Sequence, residues 1–266
     1  MSWYQTGVDG VDKEQERLDR QQGIGRLWIK PGTSKQVFFV DDEPFCIYEH
    51  NPKLNGSYRN QFTCLQGAND EVTCCQILGP TSRYYVGYLT TVDCSVWEDA
   101  KGAKHQYEMR LVGLKLKSLK KFRRKKEDKG SLVSTVFKLT RDDDKSPTCG
   151  DDWEYERTGD PEKLFSVTLL RGKKLTDLWA EAEASPEALK RLQAWVKVTP
   201  DSNGKLPRVV PSLNYLEVLK PQSPKELRIA LAGAEKDGDS PRGRTGATEP
   251  RTVVGKFTDD EDDIPF

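Results

Sequence analysis

Cys46, His50, Cys64, Cys74 and Cys75 fall within a stretch of 30 residues. Thiolate and imidazole are ligands that zinc favours, and four of them in a reducing compartment can form a structural site that orders a loop-rich segment. The spacing alone is not decisive. There is no CxxC, and adjacent Cys74 and Cys75 would point apart in an extended segment. Pro44 and the surrounding β-formers argue against a helix that would put Cys46 and His50 on one face. Free cysteines also pack as small buried hydrophobes, which requires no metal.

A second constellation is basic. Residues Lys115 to Lys126 carry eight cationic side chains and no acidic one. Their mutual repulsion would be offset by a bound polyanion, although a solvated helix face is the plainer alternative. Single strands are held without sequence preference by cations that follow phosphates and by aromatic faces on which any base can stack. The candidate cations are Lys115, Lys117, Lys120, Lys121, Arg123 and Arg124, supported by Arg59, Arg83 and Arg110. Candidate aromatics are Trp28, Tyr48, Tyr58, Phe62, Tyr84, Tyr85, Tyr88, Trp97 and Tyr107. Strand alternation places Tyr84, Val86, Tyr88 and Val92 on a core face, with Arg83, Tyr85 and Thr91 on the other. Tyr85, beside Arg83, and Tyr58, beside Arg59 in a Gly-Ser loop, are therefore the preferred stacking residues.

The third constellation is the end of the chain, FTDDEDDIPF. Carboxylates clustered from Asp259 to Asp263 cannot pack into a core, so this segment must be solvated. A solubilising tail has no need of Ile264-Pro265-Phe266, whereas a docking peptide does. The ring fills a pocket, the α-carboxylate meets a cation, and Asp259, Asp260, Asp262 and Asp263 face a basic rim.

The elements that must position these groups are mostly strands. RLWIKPGTSKQVFFVDD from Arg26 is two β-rich runs divided by Pro31-Gly32, and RYYVGYLTTVD (83–93) with KHQYEMRLVGL (104–114) forms a hairpin. LKSLKKFRRKK (116–126) has the spacing of a short helix, and SLVSTVFKLTR (131–141) and FSVTLLRG (165–172) return to strand. Two short helices follow in TDLWAEAEA and SPEALKRLQAWVKV, the second capped by Ser185 with Pro186 at its first position. The acidic groups DDDK (142–145) and GDDWE (150–154) are expected in loop turns.

Lys plus Arg and Asp plus Glu are equal at 42 each, so bulk charge selects no partner, and only its segregation does. No apolar run approaches the roughly 18 residues that span a bilayer. The N-terminus lacks the basic start and apolar stretch of a signal peptide. A cytoplasmic location and no membrane partner are the expectation. With two histidines and no phosphate loop, nucleophile elbow or spaced carboxylate pair, an enzyme is not expected.

The order His, long gap, Cys, nine residues, Cys is similar to that of the phage helix-destabilising, gene-32-type single-stranded DNA-binding proteins. It is followed by a YYVGYLTTVD-like strand, a charged Gly-containing turn and a Tyr-containing return strand. The resemblance covers roughly residues 26 to 141. It implies an OB-fold in which a His and three Cys hold zinc, and it carries three of these onto His50, Cys64 and Cys74. The family's last two Cys are separated by two residues, whereas Cys75 directly follows Cys74 here. The fourth ligand is thus left among Cys75, Cys46 and a water. DDIPF resembles the tip of bacterial single-stranded DNA-binding proteins, which recruits replication and repair factors. In the gene-32 type the N-terminal arm mediates self-association along DNA, although the arm here is not markedly basic.

The expected fold is mainly β with some α: an OB-like Greek-key barrel with an inserted Cys/His loop region, short helices and a disordered acidic tail. Residues 1–22 form a polar arm, 23–232 the core with a zinc-binding insertion at 46–80, 233–256 a flexible linker and 257–266 the docking tail. The expected function is non-enzymatic, sequence-independent binding and protection of single-stranded DNA in phage replication, recombination and repair, within the host cytoplasm. The tail would recruit partners and compete with DNA. A zinc-stabilised RNA-binding or transcription factor, or an adaptor that uses the tail without binding DNA, would share some of these features.

Overall fold

The computed structural model describes residues 24–51, 61–64, 74–78, 83–98, 102, 104–170 and 173–220. The polar arm, the linker, the acidic tail with Asp259, Asp260, Asp262, Asp263, Ile264, Pro265 and Phe266, and Tyr58 and Arg59 lie outside the described residues. The chain divides into two compact units. One holds the described residues up to Ile47 and from Tyr85 to Lys220, and the other those from Tyr48 to Tyr84.

The strands are β1 (Thr33–Phe39), β2 (Phe45–His50), β3 (Phe62–Thr63), β4 (Arg83–Asp93), β5 (Trp97–Glu98), β6 (Lys104–His105), β7 (Glu108–Lys115), β8 (Thr135–Arg141), β9 (Asp152–Thr158), β10 (Thr168–Leu170) and β11 (Lys173–Lys174). The helices are α1 (Cys74–Leu78), α2 (Leu116–Lys129), α3 (Leu175–Ala184), α4 (Pro186–Gln193) and α5 (Tyr215–Val218), with a 3-10 turn at Lys163–Ser166.

The chain is mainly β, as its pattern of short strands requires. The principal sheet is mixed and has nine strands, seven of them in the order β11-β10-β7-β4-β1-β8-β9. β10 runs parallel to β7, and the other pairings along this path are antiparallel. The end strands β11 and β9 do not pair with each other, so the sheet is open. Closure into a barrel, which the strand count had suggested, is not observed. Closure depends on pairings distant in sequence, which local alternation does not encode.

The expected hairpin forms, with Val86 opposite Lys115 and Asp93 opposite Glu108. Its return strand starts later than the alternation indicates, because Tyr107 has φ 56° and interrupts the extended run. Trp97–Glu98 and Lys104–His105 instead pair as a small two-stranded ribbon, β5-β6. The assignment of one solvent-facing side to β4 is overturned: from Val86 to Asp93 every residue is buried, Leu89 and Thr91 included. GDDWE is corrected as well, since β9 begins at Asp152 and buries Trp153.

The main core lies on the sheet face that carries Val37, Phe39, Leu89, Val112 and Phe137. Helix α2 covers this face with its Leu119 and Phe122 stripe. The Phe122 ring sits 6.1 Å from Phe39, and Trp153 sits 5.9 Å from Phe39, so three elements share one aromatic cluster. Burying a ring of this size stabilises by about 1.5–3 kcal/mol, enough to fix the helix's rotation. Gly87 permits the close approach, because a Cβ there would stand 2.7 Å from Leu119 Cδ2. With the apolar stripe committed to the core, the basic residues of α2 are turned outward.

On the opposite face, the segment after α4 is tied across the sheet. Ser185 caps α4 by accepting from Ala188 N at 3.4 Å, with Pro186 at the first helical position as its sequence demands. Further on, Leu213 N donates to Thr90 Oγ1 (2.9 Å), and Tyr215 Oη donates to Asp41 Oδ2 (2.6 Å). Burial raises the Asp41 carboxyl above its usual value, against the lowering effect of hydrogen bonds from Tyr215, Thr90 and Ser212. A raised folded-state value means the folded protein binds this proton more tightly than the unfolded chain does. The resulting stabilisation is fully present below the ordinary 3.8 and is lost as pH rises through the folded value. Urea midpoints measured from below that value to neutral pH are therefore expected to lose this decline in Asp41→Asn. An unchanged profile would remove Asp41 from the account.

Candidate metal centre and nucleic-acid interface

In the smaller unit, β2 and β3 pair with Glu49 opposite Thr63 and His50 opposite Phe62. Cys64 N extends the ladder by donating to Tyr48 O at 2.8 Å, which sets Cys64 opposite Tyr48, on the same side of the ribbon as His50. Cys74 and Cys75 open helix α1. The ligand atoms of His50, Cys64, Cys74 and Cys75 all lie within 4.8 Å of one another. Cys64 Sγ is 3.6 Å from both Cys74 Sγ and Cys75 Sγ, and Cys75 Sγ is 3.4 Å from His50 Nε2.

These separations match one metal better than cross-linked sulfur. A disulfide holds its sulfurs about 2.05 Å apart. A tetrahedral ion with bonds of about 2.3 Å to sulfur and about 2.0 Å to nitrogen sets neighbouring ligands roughly 3.5–3.8 Å apart. Burial, and secondarily the Arg83 charge, lower the His50 pKa and favour the neutral ring that has a lone pair to offer. His50 and Cys74 are buried, Cys64 and Cys75 half-buried. The cluster could hold a metal ion, and the four residues fit one.

Cys75, and not Cys46, completes the cluster. Cys46 is exposed, and its thiol is directed to Pro44 O at 3.6 Å. The objection to adjacent cysteines fails because the pair begins a helical turn, where successive side chains are about 100° apart and not on opposite faces as in a strand. In the same unit, Tyr84 Oη donates to the buried Glu49 (2.9 Å), and the Arg83 guanidinium lies 3.7 Å from the Tyr48 ring centroid.

The larger unit contains a concave groove of about 560 Å³. One wall is α2, through Lys117, Ser118, Lys120, Lys121 and Arg124. The other is the β8–β9 connection, through Asp143, Lys145, Ser146, Pro147, Gly150 and Asp151. Five cationic side chains therefore face two carboxylates. Both carboxylates are engaged within their own loop. Asp143 Oδ1 accepts from Lys145 N, Ser146 N (both 2.8 Å) and Ser146 Oγ (3.0 Å). Asp151 accepts from Ser146 Oγ (2.8 Å) and Asp142 N (3.2 Å). The Ser146 backbone hydrogen bond leads the causes that hold Asp143 below the usual carboxylate range. Asp151 is lowered too, its hydrogen bonds from Ser146 and Asp142 outweighing the opposing effect of burial.

Lys117, Lys120, Lys121 and Arg124 are thus brought together as the basic run implied, and Lys121 is further fixed by donating to Asp151 O. Lys145 was missed, because DDDK presents it among acids. The remaining predicted cations are placed elsewhere. Arg123 pairs with Glu127 at 2.9 Å, Lys115 is half-buried at the start of α2, and Arg110 pairs with Glu108. Arg83 belongs to the other unit, and Tyr85 is 38% exposed but is not among the groove's lining residues.

No family model, curated protein or solved structure matches the chain. Among the described residues no helix is long and apolar enough to cross a membrane.

Proposed function

We propose that this protein binds single-stranded DNA without sequence preference and without catalysis, as a coating and protecting protein of phage-type replication, recombination and repair. The observation that carries the proposal is the α2 groove, in which five cations face two internally satisfied carboxylates. Such a surface attracts phosphates through charge and counterion release and reads no base edge. The OB-type reading belongs to the same proposal, on the strength of the resemblance and of the antiparallel β4-β7 and β1-β4 pairings.

Zinc is the metal we assign to His50, Cys64, Cys74 and Cys75, since three thiolates and an imidazole suit it and its role there would be structural. The ion would tie β2, β3 and α1 together in a unit whose buried apolar side chains, among the described residues, are Phe62 and Cys74. The acidic tail ending in Phe266 is proposed to recruit replication and repair proteins and to compete with DNA for the basic surface.

The direct test is a mobility shift with labelled oligo-dT, challenged by excess unlabelled duplex. Retention of the shifted band is the expected result. Loss of the band to duplex competitor, or no band at all, would reject the reading.

A further inference from the structure

We infer that Trp28 is a nucleobase-stacking platform on the segment that is hydrogen-bonded to the loop wall of the α2 groove, an inference that rests on the single-strand reading above. Trp28 is 55% exposed, whereas its neighbours Leu27 and Ile29 are buried in the main core. The indole therefore faces away from the core on a segment that the core holds. Isolated exposed apolar residues are ordinary, and exposure alone would carry nothing.

What sets Trp28 apart is how firmly its backbone is pinned and to what. Leu27 N donates to Leu111 O at 2.7 Å, and Leu111 N to Gly25 O at 3.1 Å, so the preceding residues are laced to β7. On the other side, Ile29 N donates to Thr148 O at 3.0 Å, and the buried Arg141 guanidinium donates to Ile29 O at 3.1 Å. Thr148 belongs to the loop whose Ser146, Pro147, Gly150 and Asp151 line the groove. The Trp28 segment and the groove wall are thus parts of one hydrogen-bonded scaffold.

Among the described residues, the groove has no aromatic side chain in its lining. It can follow a phosphodiester backbone but offers bases no π-face. An indole mounted on the segment bonded to that loop supplies the missing contact, and tryptophan is a sequence-tolerant stacking surface that every base can use. A phosphate groove and a neighbouring stacking ring together prefer a single strand, whose bases are free to leave the helix stack.

The test separates bases from backbone. Anisotropy of end-labelled oligo-dT and of an equally long abasic phosphodiester oligomer would be titrated with wild type, Trp28→Leu and Trp28→Phe. Trp28→Leu should weaken oligo-dT binding by about 5- to 150-fold, the equivalent of one stacked base, and leave the abasic oligomer unaffected. Trp28→Phe should recover most of the loss. Intrinsic fluorescence quenching by oligo-dT should also shrink in both variants, because the exposed Trp28 indole is removed. Equal weakening on both oligomers would indicate a structural effect and overturn the inference, as would unchanged binding to oligo-dT. Wild-type protein that binds neither oligomer would reject the single-strand reading itself, and Trp28 with it.

Discussion

Replacing Lys117, Lys120, Arg124 and Lys145 together by glutamine is expected to weaken single-strand binding by up to ~600-fold at about 0.1 M salt, counting four phosphate contacts at about 0.7 each on the log–log scale. The same variant should lower the salt dependence of binding by about three, because about three fewer counterions are released per binding event. Fold stability should barely change, since all four side chains are exposed and such substitutions usually stay within about 0.5 kcal/mol. Arg123→Gln is the internal control. It lies on the same helix and is as cationic, but it pairs with Glu127 and is not among the groove's lining residues, so its effect should be small. If the two variants lose affinity in proportion only to the charge removed, a diffuse field and not the groove governs binding.

The second large effect concerns the metal. Purified protein is expected to carry about one zinc per chain, and Cys64→Ser or Cys75→Ser should abolish stoichiometric loading. The loss should exceed the roughly 10–100-fold cost of removing only an outer-sphere partner. Because structural zinc contributes folding free energy directly, chelation should open the Tyr48–Tyr84 region to proteases. Cys46→Ser, at an exposed thiol outside the cluster, should leave metal content unchanged. Metal analysis, cobalt substitution monitored by thiolate absorption, and limited proteolysis with and without chelator would check all of these. A metal-free protein whose proteolysis ignores chelators would make the four residues a packing cluster and no more.

How much of this was legible in the sequence depended on whether the signal was local. Helix α2 could be placed from Leu116, Leu119 and Phe122, and α4 from Ser185-Pro186, because caps and stripes are properties of neighbouring residues. The β4–β7 hairpin followed from alternation on both arms. What escaped were consequences of distant pairing. β4 is buried on both faces because α2 covers one and the segment around Leu213 crosses the other, and neither is visible from residues 83–93. β9 was hidden by its acidic approach, although Trp153 and Tyr155 alternate with charged neighbours. The sheet's openness is set by which strands finally pair, and no short-range pattern carries that information.

The site shows the same division. Residue chemistry named Cys46, His50, Cys64, Cys74 and Cys75, and the resemblance pointed to His50, Cys64 and Cys74, but the convergence of the four required the β2-β3 ladder and the turn of α1. The basic run identified one wall of the groove. Its opposite wall, with Lys145, came from a loop whose local composition is acidic. Arg110 was nominated for its charge and Arg83 for its charge beside Tyr85, and the strands that carry them direct each to another partner.

The central claim is most directly tested by titrating the full chain with oligo-dT and following tryptophan fluorescence, against duplex DNA of equal length and at several salt concentrations. The account predicts saturable quenching that prefers the single strand and weakens steeply as salt rises. Equal or stronger binding to duplex, or no quenching at any salt concentration, would contradict it.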